Sequence, residues 1–183
     1  TERVYRECLS ELVDLVDKGS STGAFNEVLK SAAEKFDKID KTERNRPVVC
    51  LVGEVYVRNH TFANQNVIDQ LEELGVEVKL SGLANWMYYT NYTRKVVSKR
   101  QKDVKCLFKN FVKDLAQQYF EKNIISGINH DFKGLEENYV QELLEIAEPY
   151  VDKSFHGETI LSVGEILHGY ENGISGALNV GPF

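Results

Sequence analysis

The stretch "PVVCLVGEVYVRNHTFANQNVIDQLEELGVEVKLSG" (residues 47–82) decides how the rest of the chain is read. "PVVCLVG" (47–53) is a continuous β-branched apolar run, which is what a strand buried on both faces needs. "FANQNVIDQLEELG" (62–75) then repeats apolar residues at Val67, Ile68, Leu71 and Leu74, with Gly75 placed to end a helix. "VEVKLSG" (76–82) reads as a second short strand. Strand, loop, helix, glycine and strand in this order form a βαβ unit, whose crossover is right-handed.

Elements on either side extend the pattern. Val4, Leu9, Leu12, Val13 and Val16 fall at helical spacing, "KGSSTG" breaks the helix, and Phe25 to Phe36 carry a second apolar stripe. These two helices form a hairpin, read as a separate extension over 1–44, with the α/β domain over 45–183. After the second strand, "LANWMYYTNYTRK" is either a loop or a short helix. Val104, Leu107, Phe108, Phe111, Val112, Leu115, Tyr119 and Phe120 predict a strong amphipathic helix. Another helix is expected over 135–148, and a last one in "HGETILSVGEILHGYENG", before "ALNV" supplies a third strand. The fold class is α/β: a short parallel sheet with a large helical insertion between its second and third strands.

Composition limits the function. The chain has 183 residues, 42% hydrophobic and 27% charged, with a net charge of −6. That balance is globular and argues against a dedicated nucleic-acid partner. No apolar stretch approaches the ~18 residues of a membrane span, and the first residues lack the apolar core of a signal peptide. Basic residues gather in "RKVVSKRQKDVK" (94–105) and acids in "LEENYVQELLEIAE" (135–148). Both are read as solvated helix faces, with a basic stripe that binds an anionic cofactor tail or nucleic acid as the alternative for 94–105. Cys8, Cys50 and Cys106 are isolated from one another, so neither a disulfide framework nor a zinc site is indicated. Reduced thiols fit a cytoplasmic protein. The start on Thr and the end on "NVGPF" suggest a piece of a longer polypeptide.

In an open parallel sheet, ligands sit beyond the carboxyl ends of the strands. "GEVYVRNHT", "SGLANW" and "GPF" should therefore converge. Arg58 can hold a carboxylate or phosphate bidentately, or it can pair with Glu54. Thr61 and Asn64 are placed to cap the following helix, whose amino end can also receive an anion. His156 and Glu158 flank a glycine ahead of the last helix, as acid/base or capping residues. Trp86, with Tyr88, Tyr89 and Tyr92, lines either a pocket or the core. No dinucleotide-binding loop, P-loop or nucleophile elbow is present. The residues alone describe an anion-friendly sheet edge without a complete catalytic set.

Three stretches together resemble a known family. "RPVVCLVGEVYVRNHTFANQNVIDQLEELGVEV", "NWMYY" and "HGETILSVGEILHGYENGISGALNVGPF" look like the large 2-hydroxyacyl-CoA dehydratase activase-related proteins, over about residues 25–183. The most specific pieces are "GEVYVR" with "FAN", "HGE" and the terminal "NVGPF". The resemblance implies a Rossmann-like three-layer domain, truncated at its carboxyl end. In that family, an ATPase activator module drives electrons to a [4Fe–4S] cluster in a dehydratase or benzoyl-CoA reductase-like part, which acts on a CoA thioester. Such proteins commonly run on from "GPF" into a Cys-Met-Pro sequence, and that cysteine resembles a cluster ligand. None of the three cysteines here matches it. The expectation is a scaffold, inactive alone, with no metal or cofactor of its own and a cluster in the full-length protein. Its partners would be the parent chain's other domains, the activator and an acyl-CoA. Glu54, Arg58, Asn59, Asn64, Trp86, His156 and Glu158 are the candidates for lining the cluster or substrate cavity. The alternative is a non-catalytic ligand-binding or subunit-assembly module.

Overall fold

The computed structural model describes residues 1–40, 46–125, 140–155 and 157–182. Its chain divides into two compact units, one of 1–43 with 98–136 and one of 44–97 with 137–183.

The first unit is helical. Helix α1 (Glu2–Asp17) packs on α2 (Thr22–Asp37). Val4, Cys8, Leu12 and Leu15 form the inward line of α1, and Lys35 bonds Glu11 across the hairpin at 3.0 Å. The long helix α6 (Val104–Ile125) also packs on α2. Its amphipathic pattern predicts an inward apolar face, and the structure differs. Asn110 and Asp114 are buried, whereas Phe108 is 68% exposed and Phe111, Leu115 and Tyr119 also face out. The least exposed line of α6 runs through Cys106, Asn110 and Asp114. There the Asn110 amide donates to Cys106 Sγ at 3.6 Å.

The second unit holds the sheet. Strands β1 (Val48–Gly53), β2 (Glu77–Leu80) and β3 (Gly176–Val180) are all parallel, in the order β2-β1-β3. The register aligns Leu51 with Leu80 and with Leu178. β1 is the central strand, and Cys50 to Gly53 are buried, which is why its sequence is continuously apolar. The edge strands have little need of that, and β2 is mostly exposed.

Around the sheet lie α3 (Val55–Asn59), α4 (Val67–Glu73), α5 (Leu83–Arg100), α7 (Val140–Ala147) and α8 (Thr159–Glu171). The aromatic run that read as a loop or short helix is thus the start of an 18-residue helix. Its Tyr88 and Tyr89 join Val140, Leu143, Leu144, Ala147, Ile160 and Leu161 in the core, with Trp86 packed against them. Gly164 makes that packing possible. A Cβ there would fall 2.9 Å from the Leu143 carbonyl carbon, so only glycine lets α8 approach α7 so closely. Helix α8 also packs on β1. Among the described residues no helix is long and apolar enough to cross a membrane. The amino-terminal part of the helix expected over 135–148 lies outside the described residues.

The segment after β1 departs from expectation. A helix was expected across 62–75, but 55–59 is already helical and the next helix begins only at Val67. Between them Gln65 and Asn66 adopt left-handed backbone, at φ 57° and 56°. Asn tolerates that conformation better than most residues, and two successive such residues break any helix.

Candidate functional site

The corner is built from the end of β1. Gly53 has φ +114°, and a Cβ there would lie 2.7 Å from Val180 N. Only glycine fits this close approach of β1 to β3. One residue on, Glu54 N–H donates to Val180 O at 2.9 Å, extending the pairing past the strand. Glu54 then caps α3, its Oε2 accepting Val57 N–H at 2.7 Å. Glu158, at the head of α8, accepts Val55 N–H at 2.9 Å from the other side. Two carboxylates of the chain thus occupy the amino end of α3, and no free helix terminus is offered to an anion there.

The capping roles expected of Thr61 and Asn64 are corrected. Asn66 takes the cap position of α4, without a side-chain bond, because the left-handed turn delays the helix. Asn64 instead donates to Arg58 O at 3.0 Å, and Asn59 donates to Val55 O at 2.7 Å. Both amides tie the corner together. His156 and Phe183 lie outside the described residues.

Arg58 is the residue whose burial needs explaining. The chain curls at 55–59, yet no ion pair joins Arg58 to Glu54. The guanidinium points inward and is 1% exposed. Nη1 donates to Gly53 O at 3.0 Å, while Nε and Nη2 are buried and meet no acceptor.

A second buried charge lies within its electrostatic reach. Glu165 of α8 is 5% exposed. Its Oε1 accepts the Asn85 amide at 3.2 Å, and its Oε2 has no donor. Burial pushes its carboxyl above the ordinary glutamate range, against Ser81, Asn85, Arg58 and Lys79, which favour the charged form. Ser81 Oγ lies close enough to exert that influence but makes no well-aligned hydrogen bond. Cys50 belongs to the same neighbourhood. Burial and then the Glu165 charge push its thiol up to about 11.

Sequence reasoning did not single out Ser81, Asn85 or Glu165. One signal was available for Glu165: it sits four residues after Leu161, on the apolar face of α8. An acid on a buried stripe needs a partner. Trp86, by contrast, is half-buried against the tyrosine core.

Comparison with protein-family models, with curated proteins and with solved structures gives no match in any of the three.

Proposed function

We propose that the chain is a non-catalytic α/β scaffold that holds a small acidic ligand at the carboxyl edge of its sheet, with Arg58 as the anchor. Arg58 carries this reading. A guanidinium buried with two nitrogens unpartnered costs several kcal/mol, and a carboxylate on its Nε/Nη2 edge would offset that cost bidentately. A Rossmann-like three-layer arrangement, with helices on both faces of the parallel sheet, suits such a site. The test is titration of the purified chain with propionate. Saturable binding that Arg58→Gln abolishes supports the reading, and no binding to the folded chain refutes it.

A second reading sets this corner in a 2-hydroxyacyl-CoA dehydratase-like protein, with an ATPase activator module and an acyl-CoA as partners. One observation favours it. The motif stretches "GEVYVR", "HGE" and "NVGPF" meet at the corner through the Val55–Glu158 and Glu54–Val180 bonds. A parallel sheet brings strand ends together in any case, so this supports a site more strongly than it supports the chemistry.

The residues present do not fit a [4Fe–4S] cluster. Cys50 is buried inside β1 with a thiol held protonated, Cys8 and Cys106 belong to the other unit, and no trio of metal-binding side chains is grouped among the described residues. On this reading the cluster ligands come from elsewhere in a cytoplasmic parent protein. Iron and acid-labile sulfide, measured on protein carrying this sequence and purified without oxygen, test it. Roughly four of each per chain support it. An iron-free protein refutes it.

A further inference from the structure

We propose that Arg58 and Glu165 together form a binding site for a small zwitterionic amino acid, its carboxylate on Nε and Nη2 of Arg58 and its ammonium on Oε2 of Glu165. This rests on the reading of Arg58 as a carboxylate anchor and adds the second half of the ligand.

The argument begins with what each side chain has left to offer. Arg58 has used only Nη1, on Gly53 O. Its Nε–H and the neighbouring Nη2–H are parallel donors, the edge that takes both oxygens of a carboxylate. Glu165 has used only Oε1, on Asn85, which leaves Oε2 able to accept. The Ser81 hydroxyl lies beside it and favours its charged form. Natural interiors pair such groups, so the unpartnered Nε/Nη2 edge of Arg58, in the neighbourhood of a buried carboxylate, points to a ligand.

The charges then select the ligand class. Arg58 and Glu165 influence one another, but Arg58 Nε and Nη2 and Glu165 Oε2 meet no partner, so they do not satisfy each other directly. A simple anion would serve Arg58 and leave the Glu165 charge buried beside it. A simple cation would do the reverse. A phosphate, with more negative charge, is opposed still more strongly by Glu165. A molecule carrying both charges neutralises both groups with Glu165 ionised, whereas a monoanion leaves no net charge inside the fold only when Glu165 takes up a proton. All the residues involved belong to the second unit, on β1, α3, α5, α8 and the end of β2.

The experiment titrates the full chain with glycine, β-alanine and γ-aminobutyrate, which differ in charge separation. Propionate, propylamine and inorganic phosphate serve as single-charge probes. One of the three amino acids should bind at least ~10-fold more tightly than propionate or propylamine. Glu165→Gln should shrink that advantage to ~2-fold or less, by weakening the amino acid and strengthening propionate, and Arg58→Gln should abolish binding of every carboxylate. If Arg58→Gln does not fold, the Glu165→Gln comparison decides the matter. Propionate binding as tightly as every amino acid would overturn the zwitterion inference and leave the Arg58 anchor standing. Tightest binding of phosphate would overturn it too. Binding of no probe to the folded chain would overturn both.

Discussion

Glu158 accepts the backbone N–H of Val55 at 2.9 Å, joining the head of α8 to the head of α3 across 103 residues of sequence. The bond spans the corner where β1 ends, and it holds the helix carrying Glu165 against the turn carrying Arg58. Glu158→Ala would leave that N–H without its acceptor. The expected cost is ~1–2 kcal/mol, with Glu158→Gln recovering most of it through its amide oxygen. Urea unfolding of the three proteins checks this, and equal midpoints for Ala and Gln would speak against it.

Gly53 allows the other closure of the corner. With φ +114° and Val180 backbone where a Cβ would go, Gly53→Ala must distort β1 or separate it from β3. A loss on the order of 3 kcal/mol or more is expected. Gly19→Ala provides the contrast, since its Cβ would meet nothing within 4 Å although its φ is +61°. Thermal unfolding should rank Gly53→Ala well below Gly19→Ala.

Cys50 should be chemically silent in the folded chain. It is 4% exposed, and its thiol is pushed up to about 11 by burial. Iodoacetamide at pH 8 should label Cys106, which is half-buried, well before Cys50. Peptide mass spectrometry reads the order directly. Rapid native labelling of Cys50 would mean that β1 is open at its centre.

How far these features were legible in the sequence depends on the reach of the forces involved. β1 could be read because a strand buried on both faces leaves an unbroken apolar run, "VVCLV". α8 could be read from its apolar repeat and the glycine that ends it. The parallel pairing followed from helices between strands. The turn at Gln65–Asn66 was hidden, because left-handed backbone at two non-glycine residues leaves no strong compositional mark. The outward aromatic face of α6 ran against its own pattern, since periodicity tells which residues share a face and not which face meets a neighbour. Arg58 was picked for its chemistry, but its inward orientation was not foreseeable. It depends on α3 curling, and on Gly53 O being placed for Nη1. Glu165 lies 107 residues further on, and no local signal ties it to Arg58.

Glu165 also predicts a dependence on pH. Its folded carboxyl titrates above the ordinary value of 4.5, chiefly because burial disfavours the charged form. A carboxyl raised in this way contributes stability below pH ~4.5 that is lost as pH rises through its folded value. Cys50, Arg58 and Lys79 are the charged or titratable groups whose electrostatic influence couples to it. The wild-type chain should therefore lose stability relative to Glu165→Gln as pH rises from about 4.5 towards neutrality. Unfolding curves for the pair at several pH values check this. A difference independent of pH would place the carboxyl in contact with solvent.

The most direct test of the Arg58 anchor is a nitrogen-15 NMR titration that follows the arginine Nε–H resonances as propionate and then β-alanine are added. The account predicts that one resonance, assigned to Arg58 by its loss in Arg58→Gln, shifts saturably as a carboxylate takes its Nε–H. The other arginine signals should stay in place. An Arg58 signal that does not move at saturating concentrations of either compound, in a chain still folded, would contradict the account.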